Sequence, residues 1–310
     1  MSNLLEKAKR VIKNPKLVLQ AVGQYGIYNW MPDEAYLKFM YSLKMGKKLN
    51  LDNPQTFNEK LQWLKLHNRR SEYTMMVDKY AVREYIKEKL GEEYLIPLLG
   101  VWDDPDKIDF DKLPNQFVLK CNHNSGVGMC ICKDKSKLDI ETVRKKLKKG
   151  LKEDYYLHAR EWPYKDVPRK IIAEKYMVDN SDSSRMGLID YKFYCFNGQV
   201  EYLYVSQGLD NHVTAKISFV TTNWEIAPFK RSDYDSFKIL PPKPTMMNEM
   251  MEIANQLASG IPFIRVDLYE INGKIYFGEL TFFPGGGFTA LEPDEWDYTL
   301  GELIDLEKVK

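Results

Sequence analysis

Two apolar segments near the carboxyl end of the chain carry charged residues at alternate positions. In Phe263–Tyr269, the side chains of an extended strand would alternate between faces, which places Arg265 and Asp267 together, away from the apolar residues. In the return strand, Glu279 and Thr281 likewise share one face. Burying an arginine and two acids on short apolar strands is costly unless they pair or bind a cation. The pattern therefore predicts a polar cluster built into a β-hairpin.

The register of this hairpin decides whether the charges meet. A two-residue turn at Asn272-Gly273 would pair Val266 with Glu279 and send the Glu279 side chain to the apolar face. A three-residue loop, 271–273 with Gly273 left-handed, would instead pair Arg265 with Glu279. We predict the three-residue loop, because it brings the two acids and the arginine to the same face.

With that register, Asp267 and Glu279 offer hard oxygen ligands. Mg²⁺ prefers one or two carboxylates completed by phosphate oxygens and water. A strand salt bridge between Arg265 and Glu279 would be the better explanation of an isolated pattern. The glycine run that follows, 284–287, favours a binding site, since glycines let a backbone approach a ligand closely, although such a run alone could be only a turn.

A second group of residues suits a phosphate. Lys120 ends a short apolar strand and precedes a loop with Ser125, Gly126 and Gly128, whose backbone N–H groups could cradle an anion while the lysine adds charge. The segment matches neither the P-loop nor the G-x-G-x-x-G pattern. By itself it is a weak indication of phosphate binding.

The same segment contains four potential zinc ligands: Cys121, His123, Cys130 and Cys132. Their C-x-H and C-x-C spacing differs from that of the usual zinc knuckle. Alternation would place each pair on one strand face, as a small hairpin core also does. Structural cysteines are therefore the favoured interpretation, with zinc as the alternative.

The rest of the chain indicates an α+β fold. Residues up to about 100 are mainly helical in pattern, and short strands follow, among them a hairpin at Asn197-Gly198. Strands mix with helices without a regular βα alternation, which argues against a doubly wound sheet. Glu174 and Lys192 each lie singly on a strand, and taken alone each would be an outward-facing residue of a half-exposed strand.

Composition excludes several classes of protein. The chain has 310 residues and a formal net charge of +1, so no global field indicates a nucleic-acid partner. Four cysteines do not suggest a disulfide framework, and no apolar run reaches the roughly 18 residues of a membrane span. Residues 1–22 are basic and amphipathic and could rest on an anionic membrane surface, although a packed helix is favoured. We expect a cytoplasmic protein, with contact at the inner face of the membrane as the alternative.

Several stretches, taken in order, resemble the ATP-grasp superfamily and more closely its teichuronopeptide-biosynthesis (TupA-like) family: NPQTFNEKLQWLKL, MVDKYAVREYI, LPNQFVLKCNHNSG, AEKYM and DYKFYCFNG. Together with RVDLY and GELTFFPGG they cover roughly residues 30–290. The resemblance implies an ATP-grasp fold, in which two β-rich lobes clasp a nucleotide. A helical N-terminal region would occupy 1–75 and the ATP-grasp domain 76–310, with a nucleotide-binding lobe at about 114–180 and a metal-binding lobe at about 181–290.

The resemblance also implies roles for individual residues, with ATP and Mg²⁺ as cofactors. The nucleotide would be bound by Lys79, Lys120, Asn124, Ser125, Gly126, Gly128, Glu174, Lys175, Tyr176 and Met177. Arg265 and Lys192 would be catalytic, and the metal ligands would be Asp267, Glu279 and Thr281. Gly285 and Gly286 would form a loop beside the substrate. Two departures are notable: Thr281 stands where many members have asparagine, and the phosphate loop has fewer glycines than usual.

The implied reaction is a ligation that forms a C–N bond and releases ADP. Transfer of the γ-phosphoryl group would turn a carboxylate into an acyl phosphate, which an amine then attacks. By analogy, the resemblance implies synthesis of a capsule or other cell-envelope polysaccharide, in which a uronic acid is joined to an amino acid. A polysaccharide-assembly or membrane contact would fit such a role. The alternatives are a sugar or glycan kinase with the same ATP site, a glycosyltransferase, and a non-catalytic ATP-binding module.

Overall fold

The protein is described by a computed structural model that covers residues 26–180, 187–208 and 215–309. The basic segment at residues 1–22 lies outside these described residues. None of the helices within the described ranges is long and apolar enough to cross a membrane.

The smaller of two main sheets has four strands in the order β1-β4-β2-β3, all antiparallel to their neighbours. The strands are β1 (Leu98–Trp102), β2 (Phe117–Cys121), β3 (Cys130–Cys132) and β4 (Ile171–Lys175). One face packs through Phe117 and Leu119 against Leu147 of the basic helix α5 (Ile140–Lys152). Lys120 and Glu174 lie on the other face, because Val118 pairs with Glu174 and side chains alternate along β2.

The larger sheet has five antiparallel strands in the order β10-β9-β5-β6-β7. They are β5 (Ile189–Phe196), β6 (Gln199–Gln207), β7 (Lys216–Thr221), β9 (Phe263–Ile271) and β10 (Lys274–Thr281). Helix α7 (Met247–Ala258) packs on this sheet, and β8 (Lys230–Arg231) pairs with β11 (Leu291–Glu292) in a separate two-stranded sheet. The predicted α+β class with two β-rich lobes is confirmed.

Helices precede both sheets, as the pattern of residues up to about 100 predicts. They are α1 (Asp33–Met45), α2 (Phe57–His67), α3 (Glu72–Val77) and α4 (Val82–Lys89), while α6 (Tyr156–Ala159) and α8 (Glu295–Glu302) come later. Helix α2 begins at a capping box of Thr56 and Glu59, and Phe57 packs edge-on against Phe263 of β9 with ring centroids 4.9 Å apart. Helix α2 thus shares the core of the larger sheet. The boundary placed at 75/76 stays a prediction.

Helix α8 crosses the start of α2 so closely that only glycine fits at the crossing. A Cβ atom on Gly301 would lie 2.1 Å from the carbonyl oxygen of Gln55 and 2.8 Å from the amide nitrogen of Phe57. We expect Gly301→Ala to lower the free energy of unfolding by at least about 2 kcal/mol, because backbone must move to admit the methyl group. Denaturant unfolding measures this, with the exposed Thr299→Ala on the same helix as control, expected within about 0.5 kcal/mol of wild type. Equal stabilities of the two variants would contradict the packing described.

The turn of the β9–β10 hairpin corrects the predicted register. Ile271 pairs with Lys274, so that Asn272 and Gly273 alone form the turn, with φ of 51° and 71°. Positive φ at both positions is typical of the two-residue turns that match the twist of the flanking strands. The predicted three-residue loop is therefore wrong.

A β-bulge farther along β10 brings the charges to one face all the same. The register shifts between Phe277 and Glu279, so that Glu279 pairs with Asp267 and not with Arg265 as predicted. One extra residue in β10 reverses its side-chain alternation relative to β9, which offsets the effect of the shorter turn. The bulge residue is Gly278, where a Cβ atom would lie 3.0 Å from the carbonyl oxygen of Asp267.

Candidate active site

Three neighbouring strands of the larger sheet place a cation and two carboxylates in one row. Asp267 of β9 is the cross-strand partner of both Lys192 on β5 and Glu279 on β10. The Lys192 Nζ atom lies 2.7 Å from Asp267 Oδ2 and 3.3 Å from Asp190 Oδ1. Burial acts to lower the pKa of Lys192, but these two carboxylates outweigh burial and hold that pKa above its ordinary value. Lys192 is therefore a charged residue of the site.

Arg265 bridges the two carboxylates. Its Nε donates to Asp267 Oδ1 at 2.6 Å, while one terminal nitrogen donates to Asp267 Oδ2 at 2.7 Å and to Glu279 Oε1 at 2.8 Å. Asp267 is only 2% exposed, so this bidentate contact supplies the partner that a buried charge needs. Thr281 pairs with Arg265 across the strands, and its hydroxyl lies 3.3 Å from Glu279 Oε1.

Lys79 reaches the same cluster from the other side. Its Nζ donates to the carbonyl oxygen of Asn124 at 2.8 Å and lies 3.8 Å from Glu279 Oε2. Burial lowers the pKa of Lys79. Burial acts to raise the pKa of Glu279, but Lys79 and Arg265 outweigh it and lower that pKa to about 2. Lys79 thereby links the loop after β2 to the carboxylates of the larger sheet.

Lys120 and Glu174 form an ion pair on the smaller sheet. The Lys120 Nζ atom lies 2.6 Å from Glu174 Oε2, and Arg83 of α4 lies 3.5 Å from Glu174 Oε1. The next three residues predicted to bind the nucleotide lie at and beyond the end of this strand. Lys175 ends β4, and its amide donates to the carbonyl oxygen of Pro97. Tyr176 and Met177 follow the strand.

The loop after β2 is fastened at both ends and exposed at its tip. The Asn124 side chain donates to the carbonyl oxygen of Gly150 at 3.2 Å, and Gly128 packs so closely on Gly150 that a Cβ would lie 3.0 Å from its Cα. Both Gly126 and Gly128 have left-handed φ, of 84° and 80°. Ser125 and Gly126 are exposed between these anchors, which leaves the tip free to approach a ligand.

The candidate zinc ligands of the same segment are engaged elsewhere. Cys121 and Cys132 are buried in the smaller lobe, and a ring nitrogen of His123 lies 3.2 Å from the carbonyl oxygen of Glu153. Across the described ranges, no three His, Cys, Asp or Glu side chains are arranged to hold a metal.

A cavity of about 240 Å³ opens beside the cluster. Arg265, Glu279 and Thr281 line one wall, and Ser125 from the loop after β2 lines another. The remaining lining comes from Lys44, Tyr155, His158, Ala159, Glu161, Tyr164, Phe283, Gly285 and Gly286. Of the predicted site residues, Arg265, Glu279, Thr281 and the glycine loop thus meet around one space large enough for a small substrate group, while Lys192 and Asp267 lie behind this wall.

Two residues of α2 hold the glycine loop at 284–287. The Lys65 Nζ atom donates to the carbonyl of Gly286 at 2.6 Å and to that of Ala159 at 2.8 Å, and Gln62 donates to the carbonyl of Gly287. Lys65 is fully buried, and burial lowers its pKa. The left-handed φ values of Gly285 and Gly286, 60° and 65°, allow the loop to turn its carbonyls toward α2.

Sequence reasoning missed Gln62, Lys65, Arg83 and Glu161. For Lys65 a signal was present: it lies directly after Leu64 and four residues after Leu61, on the buried stripe of an amphipathic helix. A lysine at such a position requires buried acceptors. Glu161 gave no comparable signal, because it lies outside any regular pattern.

The sequence matches the family model described as TupA-like ATPgrasp over residues 59–305. The chain belongs to this family. The match includes both sheets, the loop after β2 and every residue of the charged row. It confirms the ATP-grasp fold that the resemblance implied. ATP-grasp ligases form C–N bonds with ATP and Mg²⁺.

Solved structures similar to this ATP-grasp protein are ligases with low sequence identity. A D-alanine–D-alanine ligase from Bacillus anthracis complexed with ATP is 15% identical, with a TM-score of 0.38 over 67% of this chain and 55% of that chain. The D-alanine–D-alanine ligase from Helicobacter pylori is also 15% identical, with a TM-score of 0.43 over 83% of this chain and 69% of that chain. The phosphoribosylamine–glycine ligase from Thermotoga maritima is 13% identical, with a TM-score of 0.34 over 68% of this chain and 48% of that chain. The chain thus spans about half to two thirds of their length, and no curated protein matches its sequence.

The carboxylates of this ATP-grasp protein fit the magnesium that its family implies. Two acids on neighbouring strands, Asp267 and Glu279, offer hard oxygen ligands, and the Thr281 hydroxyl lies beside them. One or two carboxylates are what Mg²⁺ uses when phosphate oxygens and water complete its coordination. These residues would hold the ion, which when bound neutralises phosphate charge.

Proposed function

We propose that the protein is an ATP-dependent carboxylate–amine ligase that works through an acyl phosphate. One observation carries the proposal: Lys79, Lys192 and Arg265 converge on Asp267 and Glu279, and two of these residues, Arg265 and Glu279, line a cavity. Phosphoryl transfer needs in-line placement and neutralised charge more than covalent help, and this cluster supplies both cations and magnesium ligands.

In the first step, a carboxylate oxygen would attack the γ-phosphorus, and ADP would leave. Lys79, Lys120 and Lys192 would neutralise the charge of the phosphates, while the loop tip at Ser125 and Gly126 would cover them. The position of Lys79, which contacts both that loop and Glu279, supports its role as the residue joining the two lobes around the nucleotide.

In the second step, an amine in its uncharged form would attack the acyl carbon, inorganic phosphate would leave with the electrons of the C–O bond, and the proton lost from nitrogen would pass to that phosphate or to water. The oxyanion formed in this step needs a fixed donor, and Arg265, which lines the cavity, would be that donor. The glycine loop, held by Lys65, would place backbone N–H groups beside the reacting carboxylate. Exclusion of water protects the acyl phosphate from hydrolysis.

For the substrates, we propose a uronic acid of a cell-surface polysaccharide and an amino acid. Support comes from membership of the TupA-like family and from the charged lining of the cavity, which suits carboxylate and ammonium groups. The assignment to cell-envelope polysaccharide rests on analogy with that family.

An isotope experiment tests the acyl phosphate. When the uronic acid carries ¹⁸O in both carboxylate oxygens, we expect one ¹⁸O per amide formed to appear in inorganic phosphate, because that oxygen leaves with the phosphoryl group. Mass spectrometry of phosphate and amide, with ADP measured in parallel, gives the result; omission of the amino acid is the control.

Other outcomes of the same experiment would overturn the proposal. AMP carrying the ¹⁸O would indicate adenylation. A stable phosphorylated glycan that forms without an amine would indicate a kinase. No ATP consumption with any carboxylate–amine pair would reject the ligase.

A further inference from the structure

Glu161 is a buried residue whose carboxylate forms no hydrogen bond or close ion pair with the residues that the structure describes. It is 5% exposed, and the cations around it act on its charge without a direct contact. Yet it lines the cavity beside the charged cluster. A buried carboxylate is stable only when it is paired or neutralised, so a group aimed into a cavity without a partner indicates a missing ligand.

The position of Glu161 is fixed by its neighbour. Arg160 is 1% exposed and has a left-handed φ of 54°. Its guanidinium donates to the carbonyl oxygens of Tyr28 at 3.0 Å and Met31 at 3.2 Å, and it lies 3.7 Å from Asp33. The Arg160 charge is therefore engaged away from the cavity, and the backbone at Glu161 is anchored.

The nearby cations Lys65, Arg265 and Lys44 act on the Glu161 charge only through space and donate no hydrogen bond to it. A lysine ammonium has three N–H donors, and those of Lys65 point to Gln62, Ala159 and Gly286. Arg265 donates instead to Asp267 and Glu279, while Lys44 lies over the ring of Phe288 at 4.7 Å.

Aromatic rings complete the surroundings of Glu161. Tyr155 and Tyr164 line the same cavity with their ring centroids 4.8 Å apart in an edge-to-face arrangement, and Phe283 lines it as well. Ring faces attract an ammonium ion, and a carboxylate among such rings favours a cation over a neutral group.

We infer that this cavity binds the ammonium group of the amine substrate, with the Glu161 carboxylate as its acceptor. The inference rests on the proposed ligase function and names the part of the site that selects the amine. Burial raises the pKa of Glu161, although Lys65 and Arg265 act against it; a bound ammonium would lower that pKa and restore the charge. Glu161 thus recognises a charged amine at the cavity that adjoins the acyl-transfer residues.

Binding to the full-length chain tests this inference without turnover. Each of the twenty L-amino acids and its N-acetyl derivative is titrated by ligand-observed NMR in the presence of Mg²⁺ and ADP. We expect at least one free amino acid to bind and its N-acetyl derivative, which lacks the ammonium, not to bind. Glu161→Gln should weaken that binding about 10- to 100-fold, since it removes a charge-assisted hydrogen bond.

Two further variants control for folding. Asp166→Asn removes an exposed carboxylate from the same connection and should bind as wild type does. Glu161→Asp keeps the charge and should recover part of the affinity lost in Glu161→Gln. Binding that is unchanged in Glu161→Gln, equal binding of the N-acetyl derivative, or no binding of any free amino acid to wild type would each overturn the inference. Failure of the ligase proposal is recognised separately, by the absence of ¹⁸O transfer to phosphate.

Discussion

Replacement of Glu279 by glutamine is expected to lower kcat for ATP-dependent ligation by about 10³-fold or more. The Glu279 carboxylate contacts both Arg265 and Lys79, and it pairs across the strands with Asp267. The neutral amide would remove a magnesium ligand and a charged acceptor of Arg265, which Asp267 would still hold, so most of the loss would come from weaker charge stabilisation. Steady-state ATP consumption with an accepted carboxylate–amine pair measures the effect.

The matched control is Glu201→Gln, which removes an exposed carboxylate from β6 of the same sheet. It should keep kcat within about twofold, since surface substitutions seldom alter structure. Circular dichroism of both variants checks that the sheet has formed. A Glu279→Gln protein that folds and turns over at the wild-type rate would show that the carboxylate row is only a structural salt bridge.

Replacement of Lys65 by methionine is expected to lower the free energy of unfolding by about 3 kcal/mol. The fully buried ammonium donates to Gln62 Oε1 and to the carbonyls of Ala159 and Gly286, and methionine would remove these charge-assisted bonds, although Gly286 would keep the donor from Gln62 Nε2. Since the glycine loop is held by these bonds, KM for the carboxylate or amine should rise as well. Denaturant unfolding and substrate kinetics measure the two effects.

Lys60→Met provides the control on the same helix. Within the described part of the chain, the Lys60 ammonium donates one hydrogen bond, to the carbonyl oxygen of Ile304 at 2.8 Å, so its loss should cost about 1 kcal/mol and leave KM unchanged. If the two variants were equally stable, the buried hydrogen bonds between α2 and the glycine loop would contribute no more to the free energy of unfolding than the single bond of Lys60.

The sequence predicted the cluster of Arg265, Asp267 and Glu279 but not how it is assembled. Alternation in β9 fixed the common face of Arg265 and Asp267. Glu279 was expected on the same face because a buried arginine and two acids need to pair with one another or bind a cation. The assumed route, a three-residue turn, was wrong: a two-residue turn and the bulge at Gly278 give the same face with a different pairing. A bulge adds one residue without a marked change in composition, so the pattern alone did not distinguish these solutions.

Family resemblance carried the assignment of the fold, because its motifs extend along most of the chain, and the match over 59–305 confirms it. It also supplied the phosphate-binding roles of Lys79 and Lys120, which stay proposals. The contact of Lys79 with both Asn124 and Glu279 joins segments that are far apart in the sequence.

Local pattern by itself determined the Asn197-Gly198 hairpin and the common face of Arg265 and Asp267, since strand alternation and turn geometry act over a few residues. Only tertiary structure brought α2 to the glycine loop and Glu161 to the cavity. What a buried lysine or carboxylate does depends on the groups around it. Those groups come from distant segments of the sequence and meet only when the chain has folded.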